Sequence, residues 1–428
     1  MSTAPKAMPR RWLAWAVSLA ALLLLLVLLV AWLNVRGEAP IDGTPAAVTD
    51  PALVQRGAYL ARAGNCMGCH SSPAGAAFAG GRGVETPFGT VFASNITPDA
   101  KTGIGTWSAA EFWRAMHHGR SKDGRLLYPA FPYPSYTNVT REDSDALYAY
   151  LRTVPAVEQP NKPHQLPFPY GTQAALGVWR ALFFRPGALE PAPQRSAEWN
   201  RGRYLVEGLA HCAACHSSRN FLGGTRLNAQ FAGGLMPDET WYAPSLASPA
   251  EAGLQQWARE DAVRLLKDGV SRHGGVSGPM AEVVFTSTQY LTTQDVLAMV
   301  DYLASLPVRA AEARPVRRAP SEVLARGGKI YEQHCAACHG SEGQGVASVY
   351  PPLAGNRAVL LEPPHNLVQV IRLGGFFPST AGNPRPFGMP PFFQVLSDDE
   401  IAAVATYVRQ SWGNSASAVS TLDVHRVR

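Results

Sequence analysis

The pentapeptide Cys-x-x-Cys-His occurs three times in this 428-residue chain and uses all six of its cysteines. The copies are Cys66-Met-Gly-Cys69-His70, Cys212-Ala-Ala-Cys215-His216 and Cys335-Ala-Ala-Cys338-His339. Two thiols two residues apart with a histidine next door are what covalent attachment of a c-type haem requires. The thiols add to the haem vinyl groups, and the imidazole reaches the iron from the proximal side. A zinc site would want four ligands from paired knuckles, and here the thiol pairs stand far apart. The spacing therefore predicts three covalently bound haem c groups. Cys66, Cys69, Cys212, Cys215, Cys335 and Cys338 would hold them, with His70, His216 and His339 on the metal.

The motifs mark an internal repeat. Each follows a short Arg-Gly helix: Arg56-Gly57 with Tyr59 and Leu60, Arg201-Gly202 with Tyr204 and Leu205, and Arg326-Gly327 with Ile330 and Tyr331. Each unit closes on an amphipathic helix, at 145–152, 295–304 and 398–408. Ile401, Val404 and Val408 recur at helical spacing on one face of the last. Acidic residues open all three helices, as helix N-termini favour, and Pro155 and Pro307 close two of them. A small haem domain can bury two such helices against each other and against the porphyrin edge. Dividing the chain by three leaves each unit the size of a small cytochrome c.

The N-terminus carries an uncharged, almost wholly apolar stretch from Trp12 to Leu33. It exceeds the span of about 20 residues that a transmembrane helix needs, whereas the apolar part of a signal peptide runs about 7–15. Lys6, Arg10 and Arg11 precede it, which places the N-terminus in the cytoplasm. The reading is an uncleaved anchor, with a long signal peptide as the alternative. Everything from Arg36 onward would then face the periplasm of a bacterial inner membrane. The net charge of +6 is diffuse, and nothing else suggests a nucleic-acid partner.

The fold class expected is mainly α: three tandem cytochrome c-like haem domains behind one N-terminal transmembrane helix. The segments are 1–36 with the anchor, 49–155 as the first haem domain, 156–194 as a connector, 195–308 as the second, 309–320 as a linker, 321–412 as the third, and 413–428 as a polar tail. The connector region holds eight prolines from Pro155 to Pro193, around an apolar run at 174–184. That run is too short to span a bilayer. It is expected to pack on its own protein, the alternatives being a partner or the membrane surface. The tail is expected to lie on a surface or be poorly ordered.

A haem iron with His on one side and Met on the other suits electron transfer, because the thioether raises its potential. In the third unit Phe387-Gly-Met389-Pro-Pro391 offers Met389 in a proline-rich loop well after His339. In the second, Ser277-Gly-Pro-Met280 offers Met280 well after His216. Met299, on the closing helix, reads as a core residue. The first unit breaks the pattern, because Phe131 stands at the comparable distance from His70 where methionine is expected. Met116, His117 or His118 could fill that position, or it could stay open. Proximal histidines usually have the other ring nitrogen fixed by a carbonyl. Pro352 with Leu353 would supply one in the third unit, and Pro244 with Leu246 in the second.

Beyond the haem motifs, Thr86-Pro-Phe-Gly89, Asn95-Ile-Thr-Pro-Asp99, Tyr128-Pro-Ala-x-Pro-Tyr133, Ser277-Gly-Pro-Met280 and Ser411-Trp-Gly413 carry a resemblance. They resemble the tri-haem cytochrome c subunit of bacterial membrane-bound dehydrogenases over nearly all of the chain after the anchor. The resemblance implies a catalytic dehydrogenase partner and delivery of electrons to ubiquinone, a soluble cytochrome or a terminal oxidase. The partner would be a quinoprotein alcohol dehydrogenase, a flavoprotein sugar or gluconate dehydrogenase, or a molybdenum hydroxylase acting on aldehydes or N-heterocycles. Phe131 and the retained anchor look more like the subunit accompanying molybdenum–iron–sulfur hydroxylases. The rival is an oxidoreductase that binds a small molecule at an open first haem, such as a peroxidase-like or thiosulfate-oxidising cytochrome.

Overall fold

The structure, a computed structural model, describes residues 10–41, 50–226, 228–310, 315–347 and 349–427. Lys6, positions 311–314 of the linker and Arg428 of the tail lie outside the described residues. The first element is α1, Arg10–Val35. The most apolar 18-residue window of its segment Arg11–Val35 has a mean hydropathy of 2.9, and none of that window is buried against protein. A helix rises about 1.5 Å per residue and a hydrocarbon core is about 30 Å thick. The segment is therefore long enough to cross one.

The first haem unit opens on α2, Pro51–Ala63. Asp50 caps this helix by accepting from the Ala52 amide. Pro51 sits at the one turn where a missing N–H costs nothing. Helix α3, Ala109–His118, starts at a Ser108/Glu111 capping box and stops at Gly119 in the left-handed conformation, the usual pair of helix-end devices. Helix α4, Arg141–Leu151, packs across α2. In the connector, α5 spans Gln173–Phe183 and is capped by Thr172. The second unit repeats the plan with α6, Ala197–Arg203, running into a π-helical turn, Tyr204–Leu209. It continues through α7, Arg259–Asp268, α8, Gly278–Thr286, and α9, Thr293–Ala304. The third unit comprises α10, Ser321–His334, α11, His365–Leu373, α12, Asp398–Gln410, and a last short helix α13, Thr421–His425.

The Arg-Gly pairs acquire a packing reason here. A Cβ on Gly57 would collide with the Ala146 carbonyl, one on Gly202 with that of Ala298, and one on Gly327 with that of Ala403. Each glycine is the point at which the opening helix crosses the closing one backbone to backbone. Gly57→Ala should therefore cost about 3 kcal/mol, the upper end of ordinary overpacking, because the obstacle is backbone and cannot turn away. Chemical denaturation of the haem-loaded protein measures it, and a cost below about 0.5 kcal/mol would refute the crossing argument.

Units one and two are locked together by a reciprocal exchange. Tyr59 donates to Asp295 Oδ2 at 2.6 Å, and Tyr204 donates to Asp143 Oδ2 at 2.6 Å. Each aspartate also pairs with an arginine from an opening helix, Arg201 with Asp295 at 2.8 Å and Arg56 with Asp143 at 2.5 Å. The Thr292 and Thr140 amides complete the symmetry by donating to the same two tyrosine oxygens at 3.2 Å. Burial works to raise the Asp295 carboxyl, but Arg201 and Tyr59 outweigh it and hold it below the usual range, as bonds to the charged form do. The third unit joins the second through Asn366, whose side chain bonds the Tyr242 amide and carbonyl at 2.8 Å each, and through Arg357 over the Trp257 ring.

The structure bears on the connector and on the tail. The connector packs on its own protein, with Leu176 and Ala181 of its apolar run buried. Gln165 and Thr90 exchange backbone hydrogen bonds of 3.0 and 2.9 Å, and the Asn95 side chain donates to Val157 O at 2.8 Å. The tail is packed rather than loose, because Val419, Val424 and Val427 are buried beside α12. Arg409, fully buried, holds the same region through the Val359, Leu361 and Ser417 carbonyls at 2.7, 2.8 and 2.9 Å and an ion pair with Glu362.

Candidate haem sites

Each Cys-x-x-Cys-His runs into a short helical turn that leaves its histidine beside a loop carbonyl. His70 Nδ1 lies 2.7 Å from Ser94 O, His216 Nδ1 2.7 Å from Pro244 O, and His339 Nδ1 3.0 Å from Pro351 O. A carbonyl can only accept, so Nδ1 carries the proton in all three, and the Nε2 lone pair is left for a metal. Burial pushes the three imidazoles below their usual range, against the carbonyl bonds, because it disfavours the charged form and keeps them neutral. The Pro244 expectation matches this geometry. In the third unit the carbonyl is that of Pro351, one residue before the expected Pro352. The Ser94 carbonyl has no counterpart among the sequence expectations.

The thiols are free of disulfides. Burial raises Cys66 and Cys212 to about 12 and Cys335 to about 11, with the neighbouring thiol adding to each. Among the described residues no cluster of three or more His, Cys, Asp or Glu side chains could by itself hold a metal ion, as a zinc knuckle would. The thiols suit addition to a vinyl group, which consumes an S–H. The donor set thus fits haem c in all three units.

A cavity of about 2110 Å³ opens beside Cys66, Cys69 and His70, and Phe131 and Met116 both line it. Phe131 lies 12 residues after the helix-ending Gly119, and Met280 lies 11 after the helix-ending Gly269 of the second unit. The Phe131 ring packs against Tyr136 at 5.3 Å between centroids. Met116 belongs to the last turn of α3, three residues before Gly119, where the second unit has Leu266 before Gly269. His117 and His118 are buried outside the lining, His117 stacked on Trp113 at 4.3 Å. Burial lowers both to about 4. Met280 lies in the first turn of α8 rather than in an open loop, and Met389 lies in a two-residue strand, Gly388–Met389, paired with Gly375–Phe376. Met299 is buried in the core, as expected.

The same cavity reaches His211 and Cys215 of the second unit. His211 takes a left-handed φ of 41° immediately before Cys212, as Asn65 does at 48° before Cys66. Its ring meets Tyr136 of the first unit edge-on at 5.6 Å. Sequence reasoning passes over His211, and its matching place to Asn65 is the available signal, since histidine and asparagine tolerate this conformation better than most residues.

The Cytochrome c family profile matches residues 54–155, 200–307 and 324–412. The chain is 42% identical over 408 residues to the cytochrome c subunit of a quinone alcohol dehydrogenase from Gluconacetobacter polyoxogenes, covering 91% of this chain and 87% of that one. It is 38% identical to the gluconate 2-dehydrogenase cytochrome c subunit of Pantoea cypripedii, covering 88% and 90%. It is also 40% identical to a nicotinate dehydrogenase subunit of Pseudomonas putida, covering 87% of this chain and 31% of that longer protein.

Proposed function

This chain belongs to the cytochrome c family, and from that premise we propose that it is the electron-transfer subunit of a membrane-bound dehydrogenase. It takes electrons from a catalytic partner and passes them to the respiratory chain. Its three covalently bound haem c groups supply one-electron iron couples. Cys66, Cys69, Cys212, Cys215, Cys335 and Cys338 hold them. His70, His216 and His339 ligate through Nε2, each aimed by its carbonyl. Met280 and Met389 complete two of the sites, and Phe131 offers no donor atom at the first. The haem domains are 49–155, 195–308 and 321–412. Helix α1 anchors them on the periplasmic side of a bacterial inner membrane. The observation that carries this reading is the His–carbonyl geometry, repeated in all three units.

Among partners, Phe131 favours a molybdenum hydroxylase of the kind that oxidises aldehydes or N-heterocycles, and the similarity to the nicotinate dehydrogenase subunit supports it. The 42% identity to an alcohol dehydrogenase subunit and the 38% identity to a gluconate 2-dehydrogenase subunit favour, as the second reading, a quinoprotein alcohol dehydrogenase or a flavoprotein sugar dehydrogenase. The acceptor is ubiquinone, a soluble cytochrome or a terminal oxidase. Affinity purification of the tagged chain from solubilised membranes should bring down a catalytic subunit whose substrate reduces the haems. Molybdenum in that complex sustains the first reading, and a bound quinone or flavin cofactor selects the second. Thiosulfate oxidation or peroxide turnover by the isolated chain would overturn both.

A further inference from the structure

The first two haem motifs are each steadied by an arginine, and each is touched by a segment of the other unit. Arg82 donates to the Gly68 carbonyl, inside Cys66-Met-Gly-Cys69, at 2.6 Å. Arg219 donates to the Ala214 carbonyl, at the same place inside Cys212-Ala-Ala-Cys215, at 2.7 Å. Their remaining bonds differ. Arg219 turns to a second carbonyl, that of Gly223, at 3.0 Å. Arg82 instead forms a two-pronged ion pair with Glu282 of the second unit, Nη2 donating to Oε2 at 2.8 Å and Nη1 to Oε1. The segment that meets the second motif, through Tyr136 against His211, has no carboxylate between Tyr128 and Asn138. The carboxylate thus stands on the side where a methionine is available.

Glu282 belongs to α8, two residues after Met280. Side chains two apart on a helix do not share a face. Pro279, Glu282 and Val283, which do, line the cavity beside Cys66, Cys69 and His70, and Met280 is not among its lining residues. The far end of α8 is fastened to the same motif. Thr286 donates to Asn65 Oδ1 at 2.7 Å, and Asn65 immediately precedes Cys66. Ser287 donates to the Ala63 carbonyl at 3.4 Å. We propose that Arg82 and Glu282 are positioning residues for Met280: the first unit's haem motif is the fixed wall against which α8 sets the second unit's methionine. The proposal rests on Met280 as the second haem's ligand, given above. A bidentate guanidinium–carboxylate pair fixes direction as well as distance, so it can hold the helix in one orientation.

The test titrates imidazole into the oxidised, haem-loaded full chain and follows loss of the long-wavelength iron–sulfur band. Imidazole enters only where the sulfur has let go, so its apparent affinity reports how firmly each methionine is held. The phase missing from Met280→Ala belongs to the second haem. In Arg82→Leu and in Glu282→Leu that phase should move to imidazole concentrations about three- to tenfold lower, the effect of losing a part-exposed bidentate pair. The phase belonging to Met389 should stay in place. Arg82 and Glu282 also line the first cavity, but the first haem has no iron–sulfur band to lose and does not enter the reading. The double variant should shift no further than either single one, because both residues act through one contact. An unmoved phase, an equal shift of both phases, or a double variant whose shift is the product of the single ones would overturn the positioning role alone. If Met280→Ala removes no phase, the ligand assignment fails and the positioning role falls with it. Three haems per chain show that a variant has folded. Where a leucine variant holds fewer, Glu282→Gln, of the same size, takes its place; it should shift the phase about threefold, and no shift would overturn the proposal.

Discussion

Spectra of the oxidised protein should contain two methionine-ligated haems and one that lacks the iron–sulfur bond. Met280 and Met389 give the two. The third is the haem at Cys66–His70, where Phe131 and the wall residue Met116 line the cavity. Its potential should differ from the others, because the thioether is the ligand that raises it. Phe131→Met should add a third long-wavelength iron–sulfur band. Met280→Ala and Met389→Ala should each remove one and open a site to carbon monoxide. Met116→Leu should change nothing in these bands, being the residue the second unit already carries at Leu266. Three iron–sulfur bands in the unaltered protein, with one lost in Met116→Leu, would give the ligand role to Met116.

Removing the attachment thiols should have an equally large effect. Cys335→Ser with Cys338→Ser should leave about two haems per chain by the pyridine haemochrome assay, since a c-type site holds its haem through those thioethers. The yield of folded protein should depend on the unit altered. The third unit touches the second through Asn366 and Arg357, so its loss should leave the first two haems in place. Cys66→Ser with Cys69→Ser strikes a unit whose Asp143 and Tyr59 also complete the second unit's interface. It should therefore lower the yield more. A content of three haems after either change would sink the attachment scheme.

The haem motifs and the paired helices are readable because side-chain identity does that work: thiol, imidazole, and apolar residues at helical spacing. The carbonyls that aim the histidines are harder, because any residue has one. Pro244 is legible, Pro351 is missed by one position, and Ser94 is missed altogether. A register common to all three exists: the accepting residue stands two before an apolar residue of the core, Ile96, Leu246 or Leu353. The tail misleads because three valines, at 419, 424 and 427, are diluted among polar neighbours, yet all three are buried. The α5 run can be read as apolar, but which of its two sides meets protein depends on Asn34, 143 residues away from Gly177.

The exchange of Tyr59 and Tyr204 across Asp295 and Asp143 makes the first two units an isologous dimer written into one chain. A dimer of separate subunits must keep both halves identical, so any change in a ligand is made twice. Fusion removes that restriction. The scaffold can stay two-fold while the residues at the proposed sixth-ligand positions differ, Phe131 in one half and Met280 in the other. A symmetric frame of this kind holds two centres at a constant separation and still lets them differ in potential. The direction of electron flow can then be set by one side chain, without moving either domain.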